Sequence, residues 1–333
     1  MLLSIFSGQN EGLLFGIFGA IIIIFLLVDL GLFHKAHQKV SQKEALYQSL
    51  FWVGVSIGYG LLIYFYGEGS HATMEFFSAY VTEKALSVDN IFVILLILRF
   101  FKVKEEYYHN ILFWGILGAI VFRALFIFVG ALVISQAHWI LYIFGAFLIY
   151  SGIKIFSEDE EMEIEPEKNI MLRYAKKFLP LTTSDNGGKF WVRENGKLLF
   201  TPLFLVIILI ESTDLIFAVD SIPAAFAITQ NEFVIFTSNI FAVMGLRAMF
   251  FLLANVLDRF YLLQKGLSVV LIFIGAKMML EMQIIQKGLG YVFRVEHIHI
   301  PIYLSFVIII GVLIGSIILS LMFPKKPELV NPA

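Results

Sequence analysis

Five carboxylate side chains lie inside two long apolar stretches of this chain. They are Glu83 and Asp89 in the first stretch, and Glu211, Asp214 and Asp220 in the second. A charge at the centre of a bilayer costs roughly 2.5–3.5 kcal/mol on insertion scales, so such residues are rare unless they face a partner or a polar cavity. Acids grouped in this way are typical of a pathway for cations.

Further oxygen donors share helical faces with these acids. Residues three, four or seven positions apart lie on one face of an α-helix. Ser87 and Asn90 therefore fall on the stripe of Glu83, and Ser221 groups with Glu211. Carboxylate, amide and hydroxyl oxygens form a hard ligand set that suits Mg²⁺, Mn²⁺ or Ca²⁺ and does not suit Cu(I). The ligand types do not choose among these three hard ions.

Pro223 lies in the second stretch, close after Asp220. Proline has no amide to bond to the carbonyl of Val219, and it can kink a helix at that point. On a straight helix Asp220 would point away from Glu211, whereas a kink would turn it towards the other acids. Broken helices at membrane depth are typical of ion sites.

The acids could also serve only to pair with basic residues inside the membrane. The candidate bases are Arg123, Arg247, Lys84 and Lys277. Five acids exceed the well-placed bases, which favours a cation pathway. The two arginines would either hold Asp89 and Asp214 while no ion is bound or simply tie helices together. Asp29, near the end of the first apolar segment, would either meet ions at the cytoplasmic mouth or turn to the membrane surface.

The elements that must position these residues are membrane helices. Hydrophobic residues make up 59% of the 333 residues, and a segment of about 20 apolar residues spans the hydrocarbon layer. The qualifying segments are 12–33, 46–66, 76–98, 111–134, 138–156, 200–228, 232–254, 265–284 and 301–323. The predicted fold is an all-α polytopic membrane protein with about nine transmembrane helices.

The basic residues of the connecting segments set the predicted orientation. Lys and Arg concentrate on the cytoplasmic side of membrane proteins. Here alternate connections carry 17 of them, against 2 in the opposite set. Nine spans fit this alternation, with the N-terminus outside and the C-terminus in the cytoplasm.

Three short segments recur in the second half of the chain. The matching pairs are 87–94 with 212–219, 123–126 with 247–250, and 144–146 with 274–276. Each copy would contain three spans, so the second would enter the membrane from the opposite side, as in inverted-repeat transporters. Asp89 and Asp214 are the repeat-related acids, whereas Glu83, Glu211 and Asp220 have no acidic counterpart.

The chain is therefore expected to consist of five regions. They are two N-terminal helices (1–75), a first three-helix repeat (76–156), a cytoplasmic insert (157–199), a second three-helix repeat (200–285), and a final helix with a cytoplasmic tail (286–333). Within the insert, residues 170–179 predict an amphipathic helix on the inner membrane surface. Residues 190–199 place Asn195-Gly196 between apolar stretches, which predicts a β-hairpin.

The sequence supports neither nucleotide-dependent chemistry nor chemistry at cysteine. Neither a phosphate-binding Gly-Lys-Ser/Thr motif nor a dinucleotide fingerprint occurs, which argues against direct ATP-driven pumping and predicts no organic cofactor. There is no cysteine, so this chain supplies no disulfide and no thiolate ligand.

Five segments carry a more specific pattern. They are 28–31, 83–90, 201–204, 237–242 and 211–224, the last reading ESTDLIFAVDSIPA. These segments resemble the TerC family, in particular its Alx-like bacterial members. The resemblance implies a manganese exporter of the bacterial inner membrane, in which the five matching acids take part in Mn²⁺ transport. It also adds Asn239 as an auxiliary residue, and it implies secretory or metalation proteins as partners.

These observations predict a secondary transporter and not an enzyme. It would export Mn²⁺ by alternating access, with proton exchange, because crowded carboxylates can trade protons for metal. The alternatives are a transporter of Ca²⁺ or Mg²⁺, an intramembrane aspartyl protease that uses Asp89 and Asp214, and a scaffold that recruits proteins through its insert. No Gly-x-Gly-Asp sequence accompanies either aspartate, which disfavours the protease. The expected partners are the divalent cation and the lipid bilayer, with no nucleic acid, and a homo-oligomer is left open.

Overall fold

The computed structural model describes most of the chain. The described residues are 11–32, 41–137, 139–157, 170–182, 186–194, 196–254, 261–280 and 300–323. The side chains of Asp29, Asp89 and Asp220 lie outside this description, although the backbone of each belongs to a helix. The acidic segment of the insert, 158–167, also lies outside the described residues.

The apolar segments form helices, and the fold is that of an all-α polytopic membrane protein, as predicted. The first five helices are α1 (Glu11–Leu32), α2 (Gln42–Tyr66), α3 (Ser70–Phe100), α4 (Tyr108–Gln136) and α5 (Ile140–Ser157). The remaining helices are α6 (Ile170–Phe178), α7 (Pro202–Ile228), α8 (Glu232–Met244), α9 (Leu246–Leu253), α10 (Tyr261–Leu280) and α11 (Ile302–Met322). Each of the nine predicted spans overlaps one of these helices or, for 232–254, a pair of them.

Not every helix is apolar enough to be assigned a membrane crossing by composition. Six described helices are, and the bent pair α8–α9 would make a seventh. Helix α3 is 31 residues long, but Glu83, Lys84 and Asp89 lie near its centre. The number of spans and the boundaries of the five regions therefore stay predictions.

Helices α3, α4, α7 and α8 form the centre of the molecule. Helices α3 and α4 each pack against both α7 and α8, while α5 packs against α10. The α5–α10 contact is close because Gly145 and Gly275 meet there: a Cβ on Gly275 would lie 2.7 Å from the carbonyl oxygen of Gly145. Small residues allow such backbone approach between membrane helices.

The span predicted at 232–254 is interrupted. Helices α8 and α9 meet at Gly245 with a bend of 41°. Lys84 of α3 donates a hydrogen bond from Nζ to the carbonyl of Ala242 (2.8 Å), and a Cβ on Gly245 would lie 2.5 Å from that Nζ. Lys84, one of the candidate partners for the acids, thus satisfies a carbonyl at the helix break. Helix α7, in which Pro223 can introduce a kink, runs from Pro202 to Ile228 as one helix.

The two predicted elements of the insert are present. Helix α6 occupies Ile170–Phe178, and strands β1 (Trp191–Glu194) and β2 (Lys197–Phe200) pair antiparallel, with Glu194 opposite Lys197. Gly196 has φ 78°, the left-handed conformation that an Asn-Gly turn requires. The predicted helix and hairpin are confirmed, and the membrane-surface location of α6 stays a prediction.

Candidate functional site

A buried arginine of α4 contacts the other three central helices. Arg123 of α4 is 2% exposed, and its Nη1 donates to Oε1 of Glu83 on α3. The same Nη1 donates to Oδ1 of Asn239 on α8 (3.2 Å), and Nη2 donates to Oδ1 of Asp214 on α7 (3.3 Å). One permanent positive charge is therefore shared between two buried carboxylates and an amide oxygen.

Asp214 is held from a second side by Asn90 of α3. The Nδ2 of Asn90 donates to Oδ1 of Asp214 over 2.7 Å, so that one oxygen accepts from both the amide and the guanidinium. Since the amide nitrogen points at Asp214, the carbonyl oxygen of Asn90 is left for another partner. Asp214 therefore has one oxygen engaged with the protein and one, Oδ2, without a protein donor in the described structure.

Many oxygens of this cluster are buried without a hydrogen-bond partner in the described structure. They are Oε2 of Glu83, Oδ2 of Asp214, Oδ1 of Asn90, both carboxylate oxygens of Glu211, and the hydroxyls of Ser87 and Ser221. Buried polar atoms are normally paired, and exceptions point to a bound water or ion or to a functional role. Nε of Arg123 and Nδ2 of Asn239 are also without a partner there. The seven oxygens match the donor chemistry of hard cations.

A small cavity adjoins the cluster. It is lined by Asn90 and Asp214 together with residues of α4 that include Gly115 and Ala119. It is barely large enough for one water molecule. Asn90 and Asp214 are the polar residues of this cavity, and its other lining residues are apolar or glycine.

Glu211 lies one helical turn before Asp214 on α7, and its carboxylate rests against α4. A Cβ added to Gly118 would fall within 3.0 Å of both Glu211 oxygens. Glu211 is partly exposed as a residue, although both its oxygens are buried. No hydrogen bond from a described residue holds this carboxylate, so its position depends on the shape of α4.

The structure brings together only some of the predicted site residues. Glu83, Asn90, Asp214, Asn239 and Arg123 form one connected group. Ser87 and Ser221 are buried, whereas Asp29, Asp89 and Asp220 have side chains outside the described residues. Among the described side chains, no three His, Asp or Glu residues come close enough together to hold a metal ion.

Arg247, the second arginine of the sequence analysis, lies elsewhere. It is partly exposed on α9, and its Nη1 is 3.5 Å from Nε2 of His109 at the start of α4. Both roles proposed for the arginines include an Arg123–Asp214 pair, so this pair alone does not choose between them. Sequence reasoning missed Gly118 and the contact of Lys84 with α8. The only available signal for Gly118 was the small-residue pattern Gly115-x-x-Gly118.

Comparison with known proteins extends the resemblance to nearly the whole chain. The sequence profile of the integral membrane protein TerC family matches residues 68–328. The chain is 40% identical over 304 residues to the uncharacterized membrane protein STKORF319 of Myxococcus xanthus, covering 91% of this chain and 90% of the relative. No solved structure matches it.

Two further relatives have similar coverage. An uncharacterized membrane protein of Rickettsia bellii is 41% identical over 304 residues, 91% of this chain and 95% of the relative. A protein of Escherichia coli K12 named "Putative membrane-bound redox modulator Alx" is 40% identical over 316 residues, 92% of this chain and 94% of the relative. With a profile match over most of its length and relatives at this level of identity, the chain belongs to the TerC family of multi-pass integral membrane proteins.

Proposed function

We propose that this protein is a secondary transporter that exports Mn²⁺ from the cytoplasm in exchange for protons. The observation that carries the proposal is the Arg123 cluster. A guanidinium lies between Glu83 and Asp214 at the centre of a membrane protein, and the remaining carboxylate and amide oxygens have no protein partner in the described structure. Burying such a cluster in a membrane protein costs free energy unless its groups bind a partner.

Charge balance supports a cationic substrate. With their acids ionised, Glu83, Asp214 and Glu211 carry one negative charge each, and Arg123 compensates one of the three. Two positive charges are needed to neutralise the rest, which one divalent cation or two protons would supply. In the proposed exchange, a divalent cation and two protons would neutralise these carboxylates in turn.

In this mechanism Arg123 keeps the carboxylates compensated while no metal is bound. A cation that binds the spare oxygens would compete with the guanidinium for Glu83 and Asp214. Loss of these contacts would loosen α4 from α3 and α7, because Arg123 joins all three helices. Ion binding would thus be coupled to helix rearrangement, as alternating access requires.

The packing of the two predicted repeats supports alternating access. The contact of α3 with α8 has a counterpart in that of α4 with α7, and α5 packs directly on α10. Gly145 and Gly275, which occupy equivalent positions in the repeated segments, meet each other at that interface. Two units related by a twofold axis would make contacts of this kind, with the site between them.

The choice of manganese rests on the family resemblance, since oxygen ligands suit Mg²⁺ and Ca²⁺ as well. The distribution of Lys and Arg supports a cytoplasmic C-terminus, and the direction of transport rests, like the metal, on the family resemblance. The Escherichia coli relative is named as a redox modulator. A comparable role here would not use a thiol of these 333 residues, since none of them is cysteine.

The test is Mn²⁺ flux in proteoliposomes that contain the purified protein. Asp214→Asn keeps the shape of the side chain and removes its charge, so we expect it to abolish flux. Glu106→Gln, at an exposed site just before α4, is the matched control and should retain flux. Undiminished Mn²⁺ flux in Asp214→Asn would refute the site, and the absence of flux of any divalent cation in the wild type would refute the function.

A further inference from the structure

One glycine of α4 determines where a carboxylate of the cluster can lie. Gly118 faces Glu211, and a Cβ at this position would fall within 3.0 Å of Cδ and of both carboxylate oxygens. Real Cβ atoms essentially never approach other atoms so closely. The Glu211 carboxylate therefore occupies the space that any other residue at position 118 would fill.

The neighbouring glycine shows that this fit is local. At Gly115, one turn earlier on α4, an added Cβ would lie 3.4 Å from Cγ2 of Ile210 and 3.9 Å from Oε1 of Glu211. These are ordinary van der Waals distances. Of these two glycines, only Gly118 would bring a Cβ into overlap with the Glu211 carboxylate.

Glu211 precedes by one helical turn Asp214, whose Oδ2 Arg123 does not use. Both oxygens of Glu211, Oδ2 of Asp214 and Oδ1 of Asn90 are buried without a partner in the described part of the chain. Asp214 and Asn90 also line the small cavity against α4. Hydrogen bonds position Glu83 and one oxygen of Asp214, whereas the shape of α4 positions Glu211.

We propose that Gly118 is a positioning residue, whose missing side chain seats the Glu211 carboxylate next to Asp214 as a ligand for the transported divalent cation. This inference rests on the proposed function for the role of the carboxylate, and on the geometry alone for its position. The two parts are tested by separate measurements.

The position is tested by thermal unfolding of the purified protein in detergent. We expect Gly118→Ala to lower the melting temperature, since the added methyl group must displace a buried carboxylate. In a Glu211→Ala background the same change should have little effect, because the overlapping atoms are gone. In a Glu211→Gln background it should remain harmful, because the amide has the same shape. Equal effects of Gly118→Ala in all three backgrounds would overturn the proposal.

The role is tested by Mn²⁺ uptake into proteoliposomes. Displacing a ligand or its support typically weakens metal binding 10–100-fold, so we expect Gly118→Ala to raise the KM for Mn²⁺ by at least about tenfold. The control is Gly130→Ala, also on α4, whose Cβ would lie 2.8 Å from Cε2 of Phe226 on α7. It introduces steric strain between the same two helices without touching a carboxylate, and it should leave the KM unchanged.

The outcomes separate the two proposals. A KM in Gly118→Ala that matches Gly130→Ala would overturn the role of Gly118 while leaving the transport function intact. A wild-type protein that moves no divalent cation would overturn the proposed function and the ligand role with it. The three-background melting comparison still decides the position of Glu211 in that case.

Discussion

Helix α4 and the pair α8–α9 carry similar sequences and place their arginines in different surroundings. Residues 123–126 resemble 247–250, yet α4 is one helix from Tyr108 to Gln136, whereas α8 ends at Met244 and α9 begins after a 41° bend. Arg123 is buried between two carboxylates, and Arg247 is partly exposed near His109. The path of the helix, and not the type of residue, decides which arginine contacts the described acids.

A charged side chain of another helix contacts the break. Lys84 is next to Glu83 in the sequence, but it contacts the carbonyl of Ala242 while Glu83 contacts Arg123. Adjacent residues of a helix point about 100° apart, so the two side chains serve different neighbours. One side of α3 therefore faces the carboxylate cluster, and another supports the bend of α8–α9.

The strongest test of the comparison is to remove each arginine in turn. Arg123→Gln leaves Glu83 and Asp214 buried without their counter-charge, and breaking a buried ion pair costs about 3–5 kcal/mol. We expect a large loss of thermal stability and no Mn²⁺ flux. Arg247→Gln should reduce both the thermal stability and the Mn²⁺ flux by less, because that side chain is partly exposed. If Arg247→Gln loses more thermal stability and more flux than Arg123→Gln, the assignment of the site to Arg123 is contradicted.

The helix break can be tested through Lys84. Lys84→Met removes the donor to the Ala242 carbonyl, and hydrogen bonds to charged groups contribute about 1.5–3 kcal/mol. We expect a lower melting temperature, together with faster amide hydrogen exchange around Gly245. The control is Lys43→Met near the start of α2, where the lysine is exposed. If the two variants have the same melting temperature, Lys84 does not stabilise the bend.

The α5–α10 interface joins the two predicted repeats at Gly145 and Gly275. Gly275→Ala places a methyl group 2.7 Å from a backbone oxygen of α5, which cannot rotate away as a side chain can. Overpacking typically costs about 1–3 kcal/mol, so the melting temperature should fall. Gly54→Ala on α2 meets no atom within 4 Å and serves as the control. A Gly275→Ala protein as stable as Gly54→Ala would show that the helices can separate freely here.

The smallest effect is expected in the insert, away from the cluster. Gly196 has φ 78°, so Gly196→Ala forces a side chain into the left-handed region at a cost of about 1–2 kcal/mol. The hairpin should lose protection from hydrogen exchange while Mn²⁺ flux is retained. Loss of flux in this variant would assign the hairpin a part in transport.

Local patterns explain why much of the architecture was predictable. Apolar runs of sufficient length specify membrane helices because the backbone must satisfy its own hydrogen bonds in lipid. The Asn195-Gly196 pair specifies a hairpin because its turn requires left-handed residues. The break at Gly245 escaped prediction because it involves Lys84, which lies 161 positions earlier in the sequence.

The sequence by itself determined the all-α membrane fold, the hard oxygen chemistry of the candidate site and the family. Each of these follows from residue types and short spacings. Only the tertiary structure decided that Arg123 joins Glu83 to Asp214 and that Gly118 makes room for Glu211. These pairings depend on how separate helices rotate and approach one another. Apolar residues that face lipid do not specify that arrangement.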